Sequence, residues 1–180
     1  MHKELFQTVE IPEGINIEIE GARVTVSGPE GKNEREFKLS NLSLEKKGNE
    51  IIIGNKKATK KEKRRMNTIA AHIKNMIQGT QEKFEYKLKV CFSHFPITVD
   101  LKGNEALIKN FLGEKVPRKV KIPAGAEVKV EKDIITVRSN DVETAGQASA
   151  NFENVTRISN RDRRVFQDGI FITSKCGEEI

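Results

Sequence analysis

A chain of 180 residues with 32 lysines and arginines against 26 acidic residues carries a net charge of +6, a balance that favours phosphate-rich or acidic partners and leaves the fold open. Hydrophobic residues at 36% and charged residues at 32% allow a modest packed core in one large or two small domains. Two cysteines exclude a disulfide framework, a single tyrosine and no tryptophan argue against an aromatic platform for single strands, and no run approaches the roughly 20 apolar residues of a membrane helix.

In chain order, the start at Met1 to Phe6 lacks the apolar stretch of a secretion signal, so a soluble intracellular protein is expected. Ile11-Pro12-Glu13-Gly14 then opens two alternating strands through Ile17 and Ile19 and through Val24, Thr25 and Val26. Glu34 to Leu39, Leu42 to Glu45 and Glu50 to Ile53 continue as a meander, with Gly48-Asn49 as its tightest turn. Thr59 and Glu62 form a capping box for a helix whose inward face is Met66, Ile69, Ala70, Ile73 and Ile77, and Gly79 reads as its stop. The start of that helix is densely basic: Lys56, Lys57, Lys60, Lys61, Lys63, Arg64 and Arg65. Positive charge there opposes the helix dipole, which suits a phosphate contact as well as it suits a solvated face.

The helix stop and the fresh strand behind it divide the chain into repeats at 1–80 and 81–180. Phe84, Tyr86, Leu88, Val90 and Phe92 alternate with polar residues in a half-buried strand. Ile97 to Leu101 and Ala106 to Leu112 follow, joined by a Gly103-Asn104 hairpin. A second basic group, Lys115, Arg118, Lys119 and Lys121, precedes Ile122-Pro123-Ala124-Gly125, which opens another pair of strands through Val128 and Val130 and through Ile135, Thr136 and Val137. That segment matches the one at Ile11 without a gap, the sign of a duplication. Asn140 or Asp141 caps a second helix, whose small inward face of Ala145, Ala148, Phe152 and Val155 should bring it close to its sheet. The expected fold is α+β: two tandem repeats, each a small antiparallel sheet packed with one helix.

The second helix is read as running on into Arg157 to Phe171, R-I-S-N-R-D-R-R-V-F-Q-D-G-I-F. Arg157, Arg161, Arg163 and Arg164 stand beside Asn160 and Gln167, with Phe166 among them. Guanidinium forks suit phosphate oxygens and stack on bases, yet Asp162 and Asp168 could equally neutralise a solvated loop. Phe166 either packs inward or stacks. Catalytic patterns are poor. Cys91-Phe92-Ser93-His94 has ligand-like spacing without a second ligand pair, Ser93-His94 lacks a carboxylate pattern to orient it, and neither glycine-rich nucleotide loop occurs. No enzyme activity, metal or cofactor is expected, and a protein–protein adaptor using its sheet edges is the alternative to a nucleic-acid binder.

The runs Tyr86 to Val90, Ser93-His94-Phe95-Pro96-Ile97, Ile108 to Lys115 and Asn160 to Ile170, in that order, resemble the universal large-subunit ribosomal protein L six family in its archaeal form, similar also to the eukaryotic counterpart called L nine. The resemblance covers nearly the whole chain. It implies two α+β repeats and a structural constituent of the large ribosomal subunit, cytoplasmic and supporting translation. Its partners would be large-subunit rRNA and neighbouring ribosomal proteins, with no membrane and no small-molecule substrate. In the family the C-terminal half is the main rRNA-binding half, near the sarcin–ricin loop and the docking region of translational GTPases. Carried onto this sequence, the rRNA-binding residues are Arg157, Asn160, Arg161, Arg163, Arg164, Phe166 and Gln167 with Lys115, Arg118, Lys119 and Lys121, and the run from Lys56 to Arg65 is a secondary basic contact. The acidic end, Cys176 to Ile180, departs from the basic tail of the bacterial pattern, so contacts of that tail do not transfer.

Overall fold

The computed structural model describes residues 3–162 and 164–180, apart from the side chain of Lys3. It divides into two units, Met1–Lys83 and Phe84–Ile180. The division falls three residues after the 80/81 boundary because the first helix continues beyond Gly79 to Gln81.

In the first unit, strands β1 (Lys3–Glu10), β2 (Asn16–Glu20), β3 (Arg23–Gly28), β4 (Gly31–Glu36), β5 (Ser43–Lys47) and β6 (Glu50–Ala58) precede helix α1 (Lys60–Gln81). They form two antiparallel three-stranded sheets, β1-β6-β5 and β2-β3-β4. Alternation turns Ile17, Val24, Val26, Ile51 and Ile53 inward, where they meet Met66, Ile69, Ala70, Ile73 and Ile77 of α1. The capping box forms: Lys61 N–H donates to Thr59 Oγ1 at 3.3 Å, and Thr59 N–H donates to Glu62 Oε2 at 3.0 Å. At the other end, Thr80 is fully buried and its hydroxyl donates to the Ile77 carbonyl, while Glu30 N–H donates to the Thr80 carbonyl at 3.0 Å. This clamp holds the last turn helical past Gly79. A side chain at Gly28 would place its Cβ 2.7 Å from that carbonyl, so only glycine admits the contact.

The second unit contains β7 (Phe84–Cys91), β8 (Thr98–Lys102), β9 (Glu105–Lys109), a single 3-10 turn at Phe111–Gly113, β10 (Arg118–Lys121), β11 (Glu127–Glu131), β12 (Ile134–Ser139), helix α2 (Val142–Val155), β13 (Gly169–Lys175) and β14 (Glu178–Glu179). One sheet is β10-β9-β8 and the other β11-β12-β7-β13-β14. Asp141 is the cap chosen for α2, accepting from Glu143 N–H and Thr144 N–H. Ala145, Ala148 and Phe152 are buried against Tyr86, Leu88, Ile135, Val137 and Ile170. The alanines leave room for that approach, as their small volume implies.

The repeat itself holds, in a different register. In each unit the helix follows directly on the last strand of a hairpin, after β6 and after β12. Counting back from the helices, β1 to β6 correspond to β7 to β12, and the sheets agree: β2-β3-β4 with β8-β9-β10, and β1-β6-β5 with β7-β12-β11. The gapless match of Ile11 to Ile122 therefore pairs β2–β3 with β11–β12, hairpins in different places. What they share is local. Gly14 and Gly125 both have left-handed φ, 85° and 88°, before a two-residue hairpin turn that begins at Gly21 or Lys132 with φ 62° or 53°. An I-P-x-G turn followed by a hairpin recurs because it works locally, whatever follows it. Two further expectations change: α2 stops at Val155 instead of continuing into the arginine stretch, and 169–171, read as the tail of that stretch, begin strand β13 (Gly169–Lys175).

Enlarging the alanine face tests the close approach of α2. Ala148→Leu should lower the stability of the second unit by about 1–3 kcal/mol, read from urea unfolding followed by amide exchange of β7, whereas a loosely packed helix would absorb the change.

Candidate functional site

The arginine-rich stretch is a loop of the second unit strung between α2 and β13, and both of its ends are fixed. At the helix end, Thr156 is buried; its hydroxyl donates to the Phe152 and Glu153 carbonyls and accepts from Ile170 N–H at 3.0 Å. One side chain thus closes the free carbonyls of the last helical turn and ties it to the following strand. Arg118 completes the cap: Nη1 donates to the Val155 carbonyl at 2.5 Å, Nε and Nη2 grip Glu114 at 2.8 and 2.5 Å, and its guanidinium lies 4.3 Å from the Phe111 ring centre. A cation at a helix C-terminus is favourable, and the Arg118 side chain holds the Glu114 carboxyl below its ordinary value.

The far end is anchored by Asp168, whose side chain is 1% exposed. Oδ1 accepts from Ser93 N–H at 2.7 Å and from His94 N–H at 3.1 Å, and Oδ2 lies 2.6 Å from His94 Nδ1. Burial alone would raise this carboxyl, but the donated bonds from Ser93 and from the side chain and backbone of His94 outweigh it and hold it down to about 2. The turn after β7 is therefore bonded to the end of the arginine loop 74 residues later.

Between these anchors the loop folds on Asp162. Its carbonyl accepts from Val165 and Phe166 N–H at 3.1 and 2.9 Å, and its carboxylate accepts from Arg164 N–H, Nε and Nη2. Asn160 takes the left-handed region at φ 60°, which asparagine tolerates well. Phe166 is half-buried: its ring stacks on His94 at 4.9 Å and 22°, and the Arg161 guanidinium sits 4.7 Å from its centre. Both neighbours of the ring are groups of the protein itself. Arg157 is exposed, and Gln167 donates to the Arg164 carbonyl at 3.4 Å. Beneath the loop lies a concavity of about 800 Å³.

The expected site residues separate as follows. Arg157, Asn160, Arg161, Arg164, Phe166 and Gln167 lie together on this loop, Arg164 already paired with Asp162. Arg163 lies outside the described residues. Lys115, just before β10, and Lys119 and Lys121 on it are exposed, and the Arg118–Val155 bond brings β10 to the start of the loop. Arg118 itself spends its donors inside the protein. In the first unit, Lys56, Lys57, Lys60, Lys61, Lys63 and Arg64 are exposed around the start of α1, and Arg65 donates to Ser40 Oγ at 2.8 Å.

One residue has a double role that sequence reasoning missed. Asp168, taken as a neutralising charge, is the anchor, and the carboxylate missing beside Ser93-His94 is the same residue. Its one signal was its place between a polar loop and the apolar run Gly169-Ile170. The trio is not a nucleophilic relay. Ser93 Oγ and Asp168 Oδ2 both face Nδ1, at 3.1 and 2.6 Å, whereas a relay needs them on opposite ring nitrogens. Among the described residues no cluster of three or more metal-ligating side chains occurs, and no helix is long and apolar enough to cross a membrane.

With this geometry in place, likeness to known proteins is informative. The sequence model of ribosomal protein L6 matches residues 11–83 and again residues 95–169. The first match ends two residues past α1 and the second runs through α2 to the first residue of β13, so each takes in one helix with the strands before it, in agreement with the strand-by-strand register above. The chain is 41% identical over 172 residues to the large ribosomal subunit protein uL6 of Sulfurisphaera tokodaii, covering 95% of this chain and 92% of that one. It is 42% identical to the uL6 of Ignicoccus hospitalis (93% and 92% covered) and 40% identical to that of Methanothrix thermoacetophila (97% and 99% covered).

Asp168→Asn tests the anchor. At pH 7 it should lower the stability of the second unit by about 1–3 kcal/mol, since a buried donor loses its charged partner. The native carboxyl titrates below its unfolded value, so its contribution is complete above about pH 4 and is lost as pH falls toward about 2. Thermal melts of both proteins should therefore converge between those pH values; a gap that persists to pH 2 would remove the charge from the explanation.

Proposed function

The chain belongs to the ribosomal protein L6 family, and from that premise we propose how it serves as a structural constituent, not an enzyme, of the large ribosomal subunit in the cytoplasm. Its C-terminal repeat, 81–180, is the main rRNA-binding half, and the repeat at 1–80 is the smaller contributor. The loop from Arg157 to Gln167 meets large-subunit rRNA near the sarcin–ricin loop, close to where translational GTPases dock, and the protein supports translation there.

The observation that carries this reading is a cationic loop anchored at both ends, by Thr156 and by Asp168. Ordering a flexible loop on binding costs free energy, and a loop already fixed by buried hydrogen bonds has met that cost during folding. Arg157, Arg161, Arg163 and Arg164 supply phosphate contacts. Asn160 and Gln167 supply hydrogen bonds to sugar or base edges, which suits RNA recognition by shape and 2′-hydroxyls. Lys119 and Lys121 on β10 and Lys115 just before it extend the surface, and Arg118 braces it from within. Phe166 acts through His94 and Arg161, by setting the guanidinium's position. The exposed cations at the start of α1 give the first half a secondary contact with RNA or with a neighbouring ribosomal protein.

Removing the Arg161 and Arg164 guanidiniums together (Arg161→Ala with Arg164→Ala) should weaken binding to a transcript carrying the sarcin–ricin loop. The slope of log affinity against log salt should flatten by about one unit or more. An unchanged slope in filter-binding titrations would place the phosphate contacts elsewhere.

A further inference from the structure

The concavity under the arginine loop is not explained by phosphate binding. Phosphates belong at the rim, where Arg157 lines the hollow and Arg161 and Arg164 stand beside its lining residues Phe166 and Gln167, yet the walls below are partly apolar and open. Phe92 and Phe171 are each 43% exposed and Val165 is 61% exposed, although all three line a hollow of about 800 Å³. The hollow is not a packing defect of the core. The Ile170 and Phe152 side chains nearby are fully buried, and the loop above is fixed at both ends. Asn154 and Gln167 add amide groups to the same lining.

We propose that this concavity seats an unpaired, splayed-out base of the RNA whose phosphates the rim holds; the inference rests on the rRNA-binding reading above. A base is the one part of RNA with apolar faces and hydrogen-bonding edges. It can lie against the Phe92 and Phe171 rings while its edge meets the Asn154 and Gln167 amides. Charge selects it over a peptide segment, because an apolar peptide would bring no counter-charge to Arg157 and Arg161, whereas Arg164 already has Asp162. An RNA strand satisfies rim and hollow together.

The test uses full-length protein and an in vitro transcript of the large-subunit rRNA segment carrying the sarcin–ricin loop, titrated across a salt series. Phe92→Ala with Phe171→Ala should weaken binding about tenfold, the order expected for lost base stacking, while the salt slope stays that of the wild type. Should that double variant lose its cooperative melt, Phe92→Leu with Phe171→Leu keeps the apolar bulk without the ring faces, and the same loss at the same slope is expected. Wild-type affinity in the folded variant would overturn the base seat, and so would a weakening accompanied by a flatter slope. Unchanged RNA affinity with reduced incorporation into subunits would also overturn it, in favour of a protein occupant. If the wild type shows no salt-dependent binding, the rRNA reading falls and this inference with it. If the Arg161/Arg164 variant flattens the slope while the phenylalanine variant binds normally, the base seat alone falls.

Discussion

The arginine loop of this protein depends on one buried carboxylate. Asp168 is nearly inaccessible to solvent, yet it stays ionised because Ser93 N–H, His94 N–H and the His94 ring converge on it. Burying a charge is costly unless hydrogen bonds replace its water, so the arrangement is stable only when the turn after β7 and the end of the arginine loop stand together. The carboxylate makes that meeting a condition of folding. His94 then carries the order outward: its ring stacks on Phe166, and Phe166 places the Arg161 guanidinium. A charge buried in the scaffold thereby sets the position of a charge offered to solvent.

The duplication explains why this happens once. Strands β1 to β6 with α1 and strands β7 to β12 with α2 are the same unit built twice. After α1, the chain is clamped at Thr80 and passes straight into β7. After α2, it makes the long arginine loop and returns as β13, which pairs with β7. The additional strand is what makes the loop possible, because Ile170 N–H needs the Thr156 hydroxyl and Asp168 must reach the end of β7. The site is an insertion secured by its own strand on one of two equivalent scaffolds.

Positive charge is divided by position rather than by residue type. Arg118 sits on the inward side of β10 and caps α2, while Lys119 and Lys121 alternate outward and stay free for a partner. Arg164 is held by Asp162, which shapes the turn. Among the described residues Arg157 has no such acidic partner, and it remains open to solvent. A count of cations in the sequence treats these as equals; the fold assigns some to structure and others to the surface.

Sequence alone determined the elements whose signals are local. The capping box at Thr59, the inward stripe of α1, the glycine–asparagine hairpins and the alanine face of α2 all follow from residue types at short spacing, and they formed as that spacing requires. The family was legible too, because its motifs are contiguous. The register of the repeat was not, since an I-P-x-G turn and hairpin look alike wherever they occur and only strand pairing tells β2–β3 from β11–β12. Nor was the end of α2, which is set by a hydroxyl bonded to a strand 14 residues on. The role of Asp168 was the most hidden, because its partners lie 74 and 75 residues away. Short-range patterns fix which backbone conformations are affordable to each segment; which side chains end up buried together, and so which charges become anchors and which become contacts, is decided only when distant segments close around them.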